Sequence, residues 1–195
     1  FRRVLFRSTP SATATWIPVP HYDLAVMIGN EASKRGYEIV SEEYGLSKDS
    51  SKMFGVLRFH PHGHPEYTRA LGIRNSHDKT LPVGLVAGLS VLVCDNLCFG
   101  GAAKIQRKHT SGIDLIDLVP NAFDAIDQQY VRLETRVNEL KRELLSIDEA
   151  KLVTVRAAEM KAIPSCDIIP VLKEFKNPQH DSFRYNNAWS LYNAF

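Results

Sequence analysis

The chain has 195 residues, 44% of them hydrophobic, with 24 Lys and Arg against 22 Asp and Glu. That length supports one good core with room for a helical appendage, and the composition is that of an ordinary globular protein. No apolar run approaches the roughly 20 residues that a membrane-spanning helix requires, and a formal net charge of +2 makes no global case for a nucleic-acid partner.

Phe1-Arg2-Arg3-Val4-Leu5-Phe6-Arg7-Ser8 reads as the in-frame translation of a short-read sequencing adapter. Residues 1–8 are therefore expected to be foreign to the native chain, with the true N-terminus missing. Without Arg2, Arg3 and Arg7 the balance becomes 21 basic against 22 acidic residues, a net of −1. The remaining charge is uneven. From Arg58 to Thr110 seven basic residues face three acids, a net of +4, and five of the seven histidines lie there. Such asymmetry marks either a polyanion-binding face or a chance cluster on a solvated surface. Three cysteines, Cys94, Cys98 and Cys166, form an odd set in apolar surroundings. They point to the reducing cytoplasm of a host cell and not to a disulfide framework.

Residues 9–22 are rich in Ser, Thr, Ala and Pro and read as an extended lead-in. An α+β domain over 23–112 is expected to follow. It opens with a helix capped by Asp23, with Leu24, Met27, Ile28 and Ala32 at helical spacing and Gly36 closing it. Tyr37–Tyr44 and Met53–Phe59 suit strands, with a polar turn at Ser47–Ser51 between them. His60–Pro65 is a loop, because two prolines and a glycine do not fit inside a ladder. Tyr67–Asn75 reads as a further strand. Thr80 and Pro82 suggest a short helix carrying Gly84 and Gly88 four residues apart. Ser90–Cys98 suits an apolar strand, with Gly100-Gly101 as a hairpin turn and Ala102–His109 returning along it.

The remainder, 113–195, is expected to be helical and truncated at its C-terminus. Ile116, Val119, Phe123, Ile126, Tyr130, Leu133, Val137, Leu140, Leu144 and Ile147 alternate spacings of three and four. That heptad stripe over 116–147 implies a long amphipathic helix, which packs on the sheet of its own chain or forms a homo-oligomer. Ser146-Ile147-Asp148-Glu149 is a capping box that starts a new helix running to about Ala162. Further helices are expected around Ile168–Phe175 and Asn186–Phe195. The fold class is thus α+β: an antiparallel sheet with hairpins in the N-terminal half, packed by a long helix and further helices from the C-terminal half.

Chemistry-bearing patterns are sparse. His60, His62 and His64 alternate on a Pro/Gly loop that fixes no ligand geometry, and neither a metal nor a cofactor is expected. Cys94 and Cys98 lack the spacing of zinc or redox pairs. Asp95, after four apolar residues, needs a partner if buried; Arg74 and Arg107 are the candidates, and an Asx turn at Asp95-Asn96 is the alternative. Asn75, Asp95 and Asn96 thereby define a structural polar centre. Lys104, Gln106 and Lys108 alternate on one face of the last strand, with Arg107 and His109 on the other. Lysines so spaced can follow phosphates or blunt an exposed edge.

Leu71-Gly72-Ile73-Arg74-Asn75-Ser76-His77-Asp78-Lys79, Val93-Cys94-Asp95-Asn96-Leu97 and Arg107-Lys108-His109-Thr110 together resemble the phage and plasmid-like proteins catalogued as domain of unknown function 932. The final Trp189-Ser190-Leu191-Tyr192-Asn193-Ala194-Phe195 resembles that family's C-terminal motif, after which the chain normally continues. The resemblance spans 23–195 and implies a mobile-element origin without a settled activity. In outline, a sheet with flanking helices is similar to phage single-strand annealing proteins, which is an analogy of fold alone.

Three readings follow. The first is a non-enzymatic protein that binds DNA, single strands favoured, in phage or plasmid recombination or replication. Arg74, Lys104, Arg107 and Lys108 would meet phosphates, and Phe99 or Tyr67 would stack on bases. The second is a metal-dependent or thiol hydrolase or nuclease using His77, Asp78, Asp95 and Cys94. The third is a structural or host-interaction oligomer assembled through the 116–147 stripe.

Overall fold

A computed structural model describes residues 2–60, 66–91, 97–110 and 113–195, with the backbone alone over 97–105. The chain divides into two compact units, residues 1–133 and 134–195. The division falls inside a helix.

Unit 1 is an antiparallel sheet of five strands in sequential order, β1 (Ile39–Leu46), β2 (Lys52–Phe59), β3 (Tyr67–Ser76), β4 (Val83–Val91) and β5 (Leu97–Arg107). Helix α1 (His21–Lys34) and the first part of α2 (Leu115–Arg142) pack on one of its faces. Alternation explains the sheet. Met53, Leu57 and Phe59 of β2, Leu71 and Ile73 of β3, and Val83, Leu85 and Ala87 of β4 are all buried in one cluster with the helices.

Helix α1 begins two residues before Asp23, directly after Pro20, and Asp23 lies in its first turn. Leu24, Ala25, Ile28 and Ala32 give it a fully buried stripe. Gly36 closes the helix at φ +79°, the left-handed geometry that glycine adopts without strain. Arg35 then ties α1 to α2, donating to the Pro120 carbonyl at 3.0 Å and to Asp127 at 3.0 Å.

Three expectations for the sheet fail. Ser90–Cys98 is not one strand, because Ser90 of β4 pairs with Leu97 of β5. Residues 83–91 form a strand and not a helix with Gly84 and Gly88 on its surface. Val83, Leu85 and Ala87 enter the helix-covered core at every second position, and that period of two belongs to a strand. Gly100-Gly101 makes no hairpin: both lie within β5, which pairs only with β4 among the described residues. The ladder is irregular there, passing from Gly88 opposite Phe99 to Val86 opposite Lys104. Glycines suit such an irregularity as well as they suit a turn.

Helix α2 buries Val119, Ala122, Phe123, Ile126 and Tyr130 in the core of unit 1. Tyr130 donates its hydroxyl to the Ala70 carbonyl of β3 at 2.8 Å. This part of the stripe is thus satisfied within the chain. Ile116, at 74% exposed, and Leu144, at 72%, lie off it. Pro120 sits inside the helix.

Residues 2–5 form a 3-10 turn although they were expected to be foreign to the native chain. Leu5 is 1% exposed within the core cluster, and Arg2 forms an ion pair with Glu42.

In unit 2, α3 (Ile147–Glu159), α4 (Ile168–Lys176) and α5 (Ala188–Ala194) bury Ala150, Val171, Phe175 and Leu191 together. Both halves of the Ser146–Glu149 capping box are present, and Asn187 caps α5 by accepting from Ser190 N–H at 2.8 Å. Cys166 is exposed, contrary to the expectation of an apolar setting. Among the described residues no helix is long and apolar enough to cross a membrane.

Candidate nucleic-acid interface

Strand register carries the outward-facing residues into rows across the sheet. One row runs Gly45, Phe54, Arg74, Gly84, Gln106 and the next Glu43, Val56, Gly72, Val86, Lys104. These rows alternate with the residues buried under α1 and α2, so they belong to the sheet face turned away from those helices. There the strands form a trough with a volume of about 560 Å³, bounded by Glu43, Phe54, Val56, Arg74 and Val86. Gly72 lines it with backbone alone, whereas the backbone of Gly84 is covered by Arg74.

Arg74 lies across Gly84 so closely that a Cβ there would stand 2.8 Å from the Arg74 Nε. Arg58, in the following row, forms an ion pair with Glu43 and reaches the Ser90 hydroxyl at 3.3 Å. That pair neutralises the one acid among the trough's boundary residues. Phe54, directly opposite Arg74, is 51% exposed. Phe54 and Arg58 were missed in the sequence, although the inward series Met53, Leu57, Phe59 already implies that 54, 56 and 58 point outward.

The structure gathers only part of the proposed phosphate-binding set. Arg74 is in the first row, and position 104 pairs with Val86 in the second. Arg107 pairs with Val83, a buried residue of the helix-covered face, so it does not join Arg74. Parity separates adjacent strand residues. Lys108 is exposed just beyond the end of β5. Tyr67 is 1% exposed and is not available for stacking. The side chains of Phe99 and Lys104, and Cys94, Asp95 and Asn96 entirely, lie outside the described residues.

The rest of the Arg74–Lys79 motif builds a different, buried centre. Asn75 donates from Nδ2 to the Val19 carbonyl at 2.7 Å and to His21 Nδ1 at 2.9 Å. Reversing the amide would set Oδ1 against the Val19 oxygen, so the donor assignment is fixed by the network. His21 Nδ1 is therefore an acceptor, and its proton sits on Nε2 toward the Ser50 carbonyl at 3.3 Å. His77 donates from Nε2 to the same Val19 carbonyl at 2.8 Å. His109 uses Nδ1 toward the Ile17 carbonyl at 3.2 Å. Burial, with His77 alongside, pushes His21 down to about 4; burial also lowers His109. These side chains clamp the lead-in residues 17–21 to the end of the sheet.

His77 and Asp78 do not converge on a reaction centre. The Asp78 carboxylate accepts from the Thr80 hydroxyl at 2.6 Å and the Thr80 N–H at 3.0 Å. With Lys52 at 3.4 Å, these bonds hold it well below the usual carboxylate range, the Thr80 hydroxyl contributing most. Asp78 thus organises the turn before β4. His62 and His64 lie outside the described residues, and among those described no three His, Cys, Asp or Glu are placed to hold a metal.

No family model, no curated protein and no solved structure matches the chain.

Proposed function

We propose that the chain is a DNA-binding protein of phage or plasmid recombination or replication, acting without catalysis and preferring single strands. One observation carries the reading: the open sheet face sets Arg74 and a half-exposed Phe54 opposite each other at a trough of about 560 Å³. A cation beside an exposed aromatic side chain suits a strand whose phosphates and bases are both accessible. The surrounding segment, Arg58–Thr110, carries +4 in an otherwise acidic native chain. The mobile-element setting rests on the resemblance of the 71–110 motifs.

The test is fluorescence anisotropy of a labelled single-stranded oligonucleotide with the purified chain, at about 50 and about 200 mM salt. Single-strand binding through phosphates gives a log–log salt slope of about −0.7 for each contact. Affinity that falls steeply with salt supports the reading, and no binding at the lower salt overturns it.

A further inference from the structure

Resting on the reading of residues 1–8 as foreign, we infer that the groove between α1 and β1 is the seat of a peptide segment of the native chain, whose place residues 2–5 take here. The turn at 2–5 touches both elements. Foreign residues are not selected for this surface, so their fit reports what the native residues already provide. In a 3-10 turn, side chains three apart eclipse, and Arg2 and Leu5 accordingly face inward together. Leu5 joins the core cluster that holds Leu24, Ala25 and Ile28 of α1. Arg2 donates from Nε to Glu42 of β1 at 2.7 Å, and its guanidinium lies on Gly29 of α1 in the space that a Cβ would take. Arg3, Val4 and Phe6 stay exposed, with Phe6 stacked on Tyr22 at 4.0 Å between ring centroids.

The groove therefore reads two positions: a cation and, three residues later, an aliphatic side chain. Native residues set both requirements. Without a cation, the half-buried Glu42 carboxylate keeps the Tyr44 hydroxyl alone, at 3.2 Å, among the described residues. A charge removed from water and short of partners is costly. Without an aliphatic side chain, the cluster around Leu5 is left with a void that its neighbours fill only in part. Tethering decides whose segment takes the seat. Residues 17–21 are fixed to the end of the sheet by Asn75, His77 and His109. Native residues in the place of 2–5 thus reach the groove over a short link, which supplies an effective concentration on the order of millimolar. A second copy or another protein has to outcompete that.

The experiment uses the full chain carrying Leu5→Asp, which unseats the turn, and a labelled octapeptide with the sequence of residues 1–8. The octapeptide is expected to bind this variant and to bind the parent, whose own turn fills the groove, far more weakly. Leu5→Asp within the octapeptide should weaken binding about 10-fold or more, the contribution of one buried leucine. Glu42→Gln in the chain should weaken it about 2- to 5-fold, as for a partly exposed ion pair. Equal binding to variant and parent, or binding to neither, overturns the inference. A Leu5→Asp chain that dimerises by light scattering assigns the groove to a second copy, which overturns it as well. Should circular dichroism show that Leu5→Asp does not fold, a protease site placed between Ser8 and Thr9 of the parent takes its place. After cutting and dialysis the thermal midpoint is expected to fall, and excess octapeptide to restore it. An unchanged midpoint overturns the inference.

Discussion

The imidazole rings of His21 and His77 stack with centroids 3.8 Å apart and planes within 1° of parallel. Both rings are buried, and Asn75 holds His21 by its Nδ1 while the Val19 carbonyl accepts from Asn75 and His77 together. The arrangement tolerates no proton on His21 Nδ1, because that atom already accepts from the amide.

Stability should therefore fall on mild acidification. The unfolded chain takes up a proton on His21 near pH 6.5, whereas the folded chain resists until about 4. Stability is complete above about 6.5 and is lost as pH falls toward 4, by about 3 kcal/mol from this group. His109, also lowered, adds in the same direction. The depressed Asp78 acts at lower pH, since its ordinary value is 3.8. Urea unfolding at pH 7.5, 5.5 and 4 checks the slope, and His21→Phe is expected to flatten it.

Asn75→Ala leaves His21 Nδ1 without its donor, while the Val19 carbonyl keeps only His77. Each unsatisfied buried group costs about 1–3 kcal/mol. A lower thermal midpoint is expected, with faster proteolysis within residues 9–20. Unchanged melting would mean the clamp contributes nothing.

The Tyr130 hydroxyl reaches across from α2 to the Ala70 carbonyl. Tyr130→Phe should cost about 1 kcal/mol, and Tyr130→Ala about 3–5 kcal/mol as the core loses an aromatic ring. Denaturant midpoints of the two variants separate the hydrogen bond from the packing.

Arg74→Ala is expected to weaken single-strand binding and reduce the salt slope by about 0.7 if the guanidinium meets one phosphate. Arg107→Ala, on the opposite parity, should change that slope less. Anisotropy titrations at several salt concentrations distinguish them.

Deleting residues 1–8 removes a buried Leu5 and the partner of Glu42. A loss of about 1.5–3 kcal/mol is expected from the leucine, with the far-ultraviolet spectrum retained. A loss of structure would show that this turn completes the core of unit 1.

Strands β1 to β3 were legible because alternation and a polar turn are local signals. Gly36, the Ser146–Glu149 box and α4 were legible for the same reason, since caps and turns are decided within a few residues. β4 was obscured by Pro82 and by two glycines that imitate a helix surface. Gly100-Gly101 was obscured because a turn and an irregular edge strand call on the same freedom of φ. The long stripe did predict an amphipathic helix, but not that residues 119–130 would be covered by the sheet of the same chain.

The candidate site depended on relations that no short window contains. Sequence alone determined the amount of positive charge between Arg58 and Thr110 and the presence of Arg74, Asn75 and His77 in one strand-like run. Tertiary structure decided their separation. Parity in β3 sends Arg74 to the open face and Asn75 to the buried one, and antiparallel register brings Phe54 opposite Arg74. His21 meets His77 only because α1 starts where the sheet ends. A strand's period of two is written in the sequence, but the face that becomes buried is chosen by the helices that pack against it.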